Sequence, residues 1–492
     1  MTLVSRVLPD RPLASLDDYR AVGGIKGLEA ARAVDPSAVV AELTASGLRG
    51  RGGAGFPTGV KWQTVLTNAS PTLRTTVVVN AAEGEPGTFK DRTILRRNPY
   101  AVIEGALVAA HVVGAGQVII ATKERFGREV ARLRAAIDEM TAAGLVGDVA
   151  VTVAEGPGEY LYGEETGLLE VLDGRAPLPR IQPPYRRGYV EVVEDATATP
   201  DSKLANRVEM AEPGGRSDAP PALVDNVETM ANIPAIVWRG AAWFREVGTD
   251  TSPGTIVCTV TGAVPTAGVG EFAMGTPLRE VLVALGGGRT DDIAAVLPGV
   301  SNALLSAERL DTPLTYEDMT AAGSGLGSAG FIVLDSRTDP VAVVAGASRF
   351  LAVESCGQCM PCKSDGLVMA QLLDSLSRGE ASANDVEELQ ERIVSVTTEA
   401  RCYLATQQQT VVASLFDRFP EAVEAHVEHE IQSDPALVAE LVDIDDEGVA
   451  TLDERHLAKQ PDWTYDPSDS GKFPSERFAE HRAEDGQVWR AS

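Results

Sequence analysis

The distribution of apolar residues divides the chain into helical and strand-like segments. Apolar residues at near-helical spacing predict two helices over residues 15–48 and a further helix near 101–113. Short runs rich in β-branched residues predict strands over 75–80, near 117–121 and over 149–153. Helices and strands that follow one another in this way are typical of an α/β domain.

The pattern changes twice in the second half of the chain. Residues 254–333 contain short β-branched runs around one predicted helix near 277–285, which indicates a small α+β unit. Residues 341–426 have apolar side chains at helical spacing and predict a small helical bundle. A chain of 492 residues is too long for one hydrophobic core, so we expect several domains. The pattern places them at residues 1–250, 251–335 and 336–430, followed by an acidic C-terminal extension, 431–492.

Charge narrows the choice of partners. The composition is that of an ordinary globular protein, with 44% hydrophobic and 23% charged residues. A formal net charge of −28 argues against binding to nucleic acid or to an anionic membrane surface. The acidity has two open explanations, either solubility, including a halotolerant habit, or a docking face for a basic partner.

We expect a cytoplasmic protein with no direct membrane insertion. Five cysteines, four of them grouped, do not form a disulfide scaffold and fit a reducing compartment. Residues 1–10 lack the apolar core of a signal peptide. The most apolar window, 100–122, contains Glu104 and His111 and divides into a helix and a strand, so it does not predict a membrane span.

The segment ESCGQCMPCK contains three cysteines separated by two residues each, and a fourth lies 40 residues after the third. The four are Cys356, Cys359, Cys362 and Cys402. Three thiolates on one short loop, closed by a distant fourth, are typical of a [4Fe–4S] cluster. Zinc sites more often use two pairs of ligands, so zinc is the weaker alternative, and a chance group of buried thiols is the third.

A glycine-rich loop, GRGGAGFPTGVKW, comes after the predicted N-terminal helices. Its glycines fit the pattern GxGxxG at Gly50, Gly52 and Gly55. A dinucleotide fold needs a strand before this pattern and a helix after it, whereas here a helix precedes it and Pro57 and Gly59 interrupt the segment after it. Such a loop can still bring backbone N–H groups close to a phosphate or a flat ring, and Lys61 adds a positive charge. A simple surface loop is the alternative.

Polar residues follow two of the predicted strands. Glu83, Glu85, Lys90 and Asp91 come after the strand over 75–80, and ligand sites of α/β proteins form at the carboxyl ends of strands. After the strand over 149–153, the sequence GEET at residues 163–166 opens a predicted helix, whose first N–H groups can bind a phosphate. The carboxylates there are equally consistent with ordinary helix-start residues.

Five motifs occur in one order: RGRGGAGFPTGVKW, NAAEGEPGTFKDR, YGEETGLLEVLDG, VDNVET and ESCGQCMPC. This order resembles the NADH-binding, FMN-containing subunit of respiratory complex I, which also serves as the diaphorase subunit of NAD-linked hydrogenases and formate dehydrogenases. The resemblance extends from about residue 15 to about residue 426. It implies an FMN- and NADH-binding α/β domain, a ubiquitin-like β-grasp insert and a helical [4Fe–4S] domain.

The resemblance also implies roles for particular residues. Those expected against FMN are Gly50, Arg51, Gly52, Lys61, Asn80, Tyr160, Gly163, Glu164 and Asn226. Those expected on the NADH side are Phe56, Glu85, Glu165 and Tyr185, the last stacking on adenine. Lys61, Glu83, Glu85 and Glu165 are expected to bind and tune the cofactors. Carboxylates near a ribose repel a 2′-phosphate, so NADH is expected in preference to NADPH.

Two residues depart from the family pattern in the expected flavin pocket. Ala82 stands where the family has an aspartate, and Asp225 stands where it has an asparagine. An additional segment also occurs between residues 188 and 222. The alternative function is therefore a non-catalytic iron–sulfur conduit or structural subunit that has lost FMN and NADH. A weaker alternative is a diaphorase linked to NADPH or ferredoxin.

The implied reaction is hydride transfer from NADH to FMN, followed by single-electron transfer to the [4Fe–4S] cluster, or the reverse. No acid–base side chain is required for it. Because the chain has no second cysteine quartet, we expect a separate small [2Fe–2S] thioredoxin-like subunit and a larger electron-acceptor subunit as partners.

The acidic extension contains a segment in the register of a calcium-binding EF-hand loop, from Asp443 to Glu454. Ala450 stands where such loops have a large aliphatic residue, so a plain hairpin is the preferred interpretation. Aromatic residues from Trp463 onwards suggest an arm that wraps a partner subunit, with disorder as the alternative.

Overall fold

The computed structural model describes residues 3–70, 73–188, 220–288 and 291–461. The additional segment between residues 188 and 222 falls mostly outside these ranges, as do the aromatic residues from Trp463 onwards. Within the described residues, no helix combines the length and the apolar character needed to cross a membrane.

The first half of the chain contains ten helices and four strands in its described residues. The helices are α1 Leu16–Ala21, α2 Lys26–Arg32, α3 Pro36–Ser46, α4 Thr58–Thr67, α5 Lys90–Arg97, α6 Pro99–Val113, α7 Gly127–Ala142, α8 Glu165–Leu172, α9 Val227–Arg239 and α10 Ala241–Phe244. The strands are β1 Thr76–Ala81, β2 Gln117–Lys123, β3 Ala150–Gly156 and β4 Ala222–Asn226. The strands expected near 75–80, 117–121 and 149–153 are thus present, as is the helix near 101–113.

These four strands form one parallel sheet in the order β3-β2-β1-β4. The chain passes from β1 outward to β2 and β3, and it returns to the other side of β1 as β4. The strand order therefore reverses between β1 and β4, where Asn80 pairs in register with Asn226. A reversal of this kind leaves a crevice outside the carboxyl ends of the two strands, where α/β proteins bind ligands.

The N-terminal segment forms three helices, so the prediction of two over residues 15–48 is wrong. The break falls at Gly23 and Gly24, and Ile25 has a left-handed backbone with φ of 73°. The buried carboxylate of Glu104 holds this turn by accepting hydrogen bonds from the amides of Ile25 and Leu28. A tertiary contact from α6 therefore sets the helix boundary.

The expectation that Pro57 and Gly59 interrupt the chain after the glycine-rich loop is also wrong. Pro57 directly precedes the first residue of α4, and its extended backbone leads into the helix. Gly59 lies inside α4 because the helix packs closely on α3, where a Cβ on Gly59 would come within 2.3 Å of the Thr44 hydroxyl.

The middle of the chain forms a second, mixed sheet in the order β6-β5-β9-β7-β8. Its strands are β5 Thr255–Gly262, β6 Gly268–Ala273, β7 Ile293–Leu297, β8 Leu305–Ser306 and β9 Gly330–Asp335, and its helices are α11 Leu278–Leu285 and α12 Tyr316–Ala321. The expected strands correspond to β5, β6 and β9, and the one expected helix to α11. The prediction missed β7, β8 and α12.

The remaining described residues form a helical bundle and a hairpin. The helices are α13 Pro340–Val353, α14 Met360–Ser377, α15 Ala383–Ser395, α16 Leu404–Arg418 and α17 Pro420–Val427, and the strands are β10 Leu441–Ile444 and β11 Ala450–Leu452. β10 and β11 pair antiparallel, which confirms the hairpin. Asp443, the first acid of the EF-hand register, pairs with Arg96 at 2.6 Å. The exact boundaries of the four expected domains stay a prediction.

Candidate functional site

A cavity of about 630 Å³ lies at the carboxyl ends of β1 and β4. Of the residues predicted to bind cofactors, those that line it are Gly50, Gly52, Phe56, Lys61, Asn80, Glu83, Glu85, Tyr160, Gly163, Glu164, Glu165 and Asn226. The second sheet and the helical bundle also contribute to its wall, through Ser301, Ser328, Cys402 and Gln407. The structure thus collects residues that lie far apart in the sequence into one site.

Arg51 and Tyr185 do not line this cavity. The Arg51 side chain is buried, and its guanidinium donates hydrogen bonds to the Tyr316 hydroxyl and to the carbonyl of Pro253. Arg51 therefore holds the glycine-rich loop from behind. Tyr185 is partly buried and packs against the main core of the first half of the chain.

The glycine-rich loop lies against its neighbours with no room for larger residues. A Cβ on Gly52 would lie 3.2 Å from the Cβ of Asn226. Gly55 has φ of +63°, and a Cβ there would lie 2.4 Å from the ring of Tyr316. The loop therefore needs glycine both for its backbone conformation and for its close approach, and it presents a flat backbone surface to the cavity.

Lys61 lies between two carboxylates. Its Nζ atom donates to Glu165 at 2.9 Å and lies 3.9 Å from Asp225. Burial alone would lower the pKa of Lys61, but the two carboxylates raise it, so the ammonium is charged. Asp225 also accepts a hydrogen bond of 2.8 Å from the indole N–H of Trp62, while burial raises the pKa of its carboxyl group. Asp225 is therefore accommodated in the pocket by two polar partners.

The two glutamates after β1 have different partners. Glu83 accepts from the backbone amide of Asp91 at 2.9 Å and from the Arg92 guanidinium at 3.1 Å, which anchors the loop. Glu85 accepts from the Tyr160 hydroxyl and, at 2.5 Å, from Ser301. Burial raises the pKa of both carboxyl groups. Glu85 is the more available of the two, because its partners are neutral hydroxyl groups.

The N-terminus of α8 is already capped. The Glu164 side chain accepts hydrogen bonds from the amides of Thr166 and Gly167 at 2.9 and 2.7 Å. These are the N–H groups that a phosphate would need. The structure thus favours the helix-start interpretation of Glu164, and it places the glycine-rich loop as the better source of free backbone donors.

A buried charge cluster on the cavity wall had not been predicted as part of the site. Lys90 is 1% exposed, and its Nζ lies 2.7 Å from Asp91 and 2.9 Å from Glu228. It also donates to Asn226 at 3.3 Å, and the Asn226 amide donates to Asp91 at 2.6 Å. A lysine followed by an aspartate after a strand is the sequence signal that could have revealed it. The cluster fixes Asn226 at the end of β4.

The four predicted cysteines line one small cavity beside the larger one. The Ser355 hydroxyl lies 3.4 Å from Cys362 Sγ, and the Gln358 amide donates to Cys356 Sγ at 3.4 Å. Burial raises the pKa of Cys362 to about 11 and that of Cys402 to about 12. A metal cluster must therefore displace these protons when it binds. Four thiols, none of them in a disulfide, with polar groups directed at the sulfurs, fit an iron–sulfur cluster.

Family models match both sites. The Nuo51 FMN-binding domain matches residues 43–235, and the NADH-ubiquinone oxidoreductase-F iron-sulfur binding region matches residues 342–426. The flat glycine-rich loop and the polar wall of the larger cavity fit a flavin, and the four thiols fit the cluster.

Whole-chain comparisons agree with the family models. The NADP-reducing hydrogenase subunit HndC of Solidesulfovibrio fructosivorans is 33% identical over 427 residues, covering 84% of this chain and 81% of its own. A subunit of the NADH-quinone oxidoreductase of Streptomyces coelicolor is 35% identical over 424 residues, covering 84% and 88%. An NAD⁺-reducing [NiFe]-hydrogenase in the H₂-reduced state superposes with a TM-score of 0.72 at 32% identity, covering 87% of this chain and 68% of that chain.

A flavin cavity beside a four-cysteine centre defines an electron-transfer flavoprotein with an iron–sulfur cluster. The chain belongs to the family of NADH-oxidising flavoprotein subunits that carry the Nuo51 FMN-binding domain. The expected α/β fold, FMN and [4Fe–4S] cofactors and oxidoreductase class are thereby confirmed. The iron–sulfur interpretation of the cysteines replaces the zinc alternative.

Proposed function

We propose that this chain oxidises NADH, or reduces NAD⁺ in the reverse direction, with FMN in the larger cavity and a [4Fe–4S] cluster on its four cysteines. One observation carries the proposal: Cys402 lines both the cofactor cavity and the cysteine cavity. A ligand of the cluster therefore lies at the wall of the flavin site. When bound, FMN supplies the exchange between the two-electron chemistry of NADH and the one-electron chemistry of a cluster.

The protein's part in this reaction is to bind and orient. We propose that the flat backbone of the glycine-rich loop supports the flavin ring and that Lys61 provides a fixed positive charge beside it. Asn80 supports the pocket, because its amide donates to the Gly163 carbonyl at 2.7 Å. Phe56 is 51% exposed on the cavity wall and offers a face for a stacked ring.

The charge of the cavity supports NADH as the preferred nucleotide. Its wall carries two lysines and six carboxylates: Lys61, Lys90, Glu83, Glu85, Asp91, Glu164, Glu165 and Asp225. An excess of negative charge disfavours the 2′-phosphate of NADPH. The ratio of kcat/KM for NADH to that for NADPH tests this proposal, and a ratio above about 10 is expected from a single unfavourable charge contact.

The changes at Ala82 and Asp225 leave the cavity intact. Ala82 is 2% exposed at its wall, and Asp225 has Trp62 and Lys61 as partners. These contacts support retention of FMN rather than the alternative of a non-catalytic conduit subunit.

We also propose that the chain acts within a multi-subunit oxidoreductase, since its relatives are named as subunits of hydrogenases or quinone oxidoreductases. A small [2Fe–2S] thioredoxin-like subunit and a larger electron-acceptor subunit are the proposed partners. The free cysteines fit a reducing compartment, so we propose a cytoplasmic location. The division into four domains at residues 250, 335 and 430 is retained as part of this proposal.

The test is an absorption spectrum of the anaerobically purified full-length chain, recorded before and after addition of NADH. A flavin band at about 450 nm over a broad iron–sulfur absorption, both bleached by NADH, is the expected result. An iron–sulfur spectrum without flavin and without bleaching would support the conduit alternative and reject the proposal.

A further inference from the structure

A C-terminal strap, which we define as residues 438–460, lies beyond the family match that ends at residue 426. Its first part is bound to the elements around the parallel sheet. Glu440 is 6% exposed and accepts from Lys123, at the end of β2, at 2.7 Å, and also pairs with Arg125. Asp443 pairs with Arg96 of α5 at 2.6 Å. Ion pairs to buried basic groups of this kind fix the strap on the flavin side of the molecule.

The last part of the strap is bound to the helical bundle. Arg349 of α13 donates to the backbone carbonyls of His456 and Lys459 at 2.8 and 3.0 Å. Lys459 donates to Glu354 at 2.6 Å, and Nε2 of His456 lies 3.4 Å from the same carboxylate. Glu354 lies two residues before Cys356. The strap thus connects the flavin side of the molecule to the start of the cysteine loop.

These contacts converge on one cavity residue, Tyr160. The second oxygen of Glu354 accepts from the Tyr160 amide at 3.0 Å. The ring of Phe350 stacks on His456 with centroids 4.8 Å apart and meets the Tyr160 ring edge-on at 5.3 Å. Tyr160 in turn donates its hydroxyl proton to Glu85. A continuous path of contacts therefore runs from the strap to the cofactor cavity.

The strap also supports the loop after β1 from behind. Arg92, which binds Glu83, donates to the carbonyl of Val442 at 3.2 Å. Lys123, which Glu440 holds, approaches Gly84 so closely that a Cβ there would lie 2.6 Å from its Nζ. Glu83 and Gly84 line the cavity, so the strap backs a second part of its wall.

We propose that the C-terminal strap positions Tyr160 for the cofactors, with Lys459 and His456 as the positioning residues. The inference rests on the proposed function, since it assigns FMN and NADH to this cavity. Glu354 is 9% exposed and its two oxygens serve the Tyr160 amide on one side and the strap on the other. Burial alone would raise the pKa of Glu354, but Lys459 and His456 lower it, so the carboxylate is charged and needs its cationic partner.

The test compares three variants of the full-length chain. Lys459→Met removes the partner of Glu354, Lys459→Arg keeps the charge, and Arg455→Met is the control because Arg455 pairs with Asp453 within the strap. The readout is the dissociation constant of FMN, from quenching of flavin fluorescence on addition to FMN-depleted protein. We expect Lys459→Met to raise it about tenfold, with Lys459→Arg restoring most of the affinity and Arg455→Met unchanged.

A second variant covers the case in which Lys459→Met does not fold. His456→Ala removes the ring stacked on Phe350 but keeps the pair between Lys459 and Glu354, and it should weaken FMN binding several-fold. Wild-type affinity in both Lys459→Met and His456→Ala, or an equal loss in Arg455→Met, would overturn the strap proposal alone. Wild-type protein that binds no FMN would overturn the proposed function and this inference together.

Discussion

At the scale of single residues, the chemistry of the cavity is governed by how its charges are paired. Lys61 is held between Glu165 and Asp225, and Asp225 is in addition bound to Trp62. Asp225 therefore offsets part of the positive charge that Lys61 would otherwise present to a bound flavin. A negative charge near a redox group disfavours its reduced, more negative form.

Asp225→Asn should raise the flavin midpoint potential. The substitution keeps the size of the side chain and removes its charge, so reduction becomes easier. We expect a shift of about tenfold in the equilibrium between oxidised and reduced flavin, or about 30 mV for two electrons. A spectroelectrochemical titration measures it. Asp335→Asn is the control, because Asp335 lies at the end of β9 and pairs with Arg337 outside the cavity. An unchanged potential in Asp225→Asn would contradict the role of this charge.

Glu85→Gln should reduce the pH dependence of stability of the FMN-free protein. Burial raises the pKa of Glu85 in the folded state above its unfolded value. Such a group adds stability that is fully present below the unfolded pKa and is lost as pH rises through the folded pKa, at about 1.4 kcal/mol per unit of pKa shift. Glutamine does not titrate, so the decline in unfolding free energy between about pH 4.5 and pH 8 becomes shallower. Urea unfolding across this range measures it, and an identical slope in wild type and variant would refute the expectation.

At the scale of elements, the glycine-rich loop and the end of β4 form the two sides of the crevice. Gly52 lies so close to Asn226 that a side chain on either would displace the other. Their approach depends on the register of β1 and β4 and on the charge cluster around Lys90, which fixes Asn226. The shape of the flavin site is therefore a property of several elements packed together.

Gly52→Ala should weaken FMN binding while leaving the chain folded. The new methyl group would lie 3.2 Å from the Cβ of Asn226, so the loop must shift by a few tenths of an ångström. We expect a loss of about tenfold in affinity, measured by flavin fluorescence. Gly127→Ala is a suitable control, since a Cβ at this first residue of α7 meets nothing within 4 Å. Equal affinity in the two variants would show that the loop does not contact the flavin.

Local sequence patterns were sufficient for elements whose own periodicity is strong. β1, β2 and α6 agree with prediction because long apolar or β-branched runs determine them. β7 and β8 were missed because they are short and obtain their stability from pairing with distant strands. In the same way, motifs indicated most of the cavity residues, whereas Ser301 and Ser328 reach the cavity only through the packing of the second sheet.

At the scale of the whole molecule, one cofactor cavity is built by three parts of the chain. The parallel sheet provides its floor, the second sheet contributes Ser301 and Ser328, and the helical bundle contributes Cys402 and Gln407. Gln407 donates to the Tyr160 hydroxyl at 2.9 Å, which ties the bundle to the flavin side. The cavity and the cysteine centre therefore meet only when all three parts are assembled.

The most direct test of this arrangement is electron paramagnetic resonance of the anaerobic full-length chain after addition of NADH. We expect the signal of a reduced [4Fe–4S] cluster, with an amplitude close to that produced by dithionite. The Cys402→Ser variant should lose this signal while it retains bleaching of the flavin by NADH. A cluster signal in wild type with dithionite, but none with NADH although the flavin is bleached, would contradict electron transfer between the two sites.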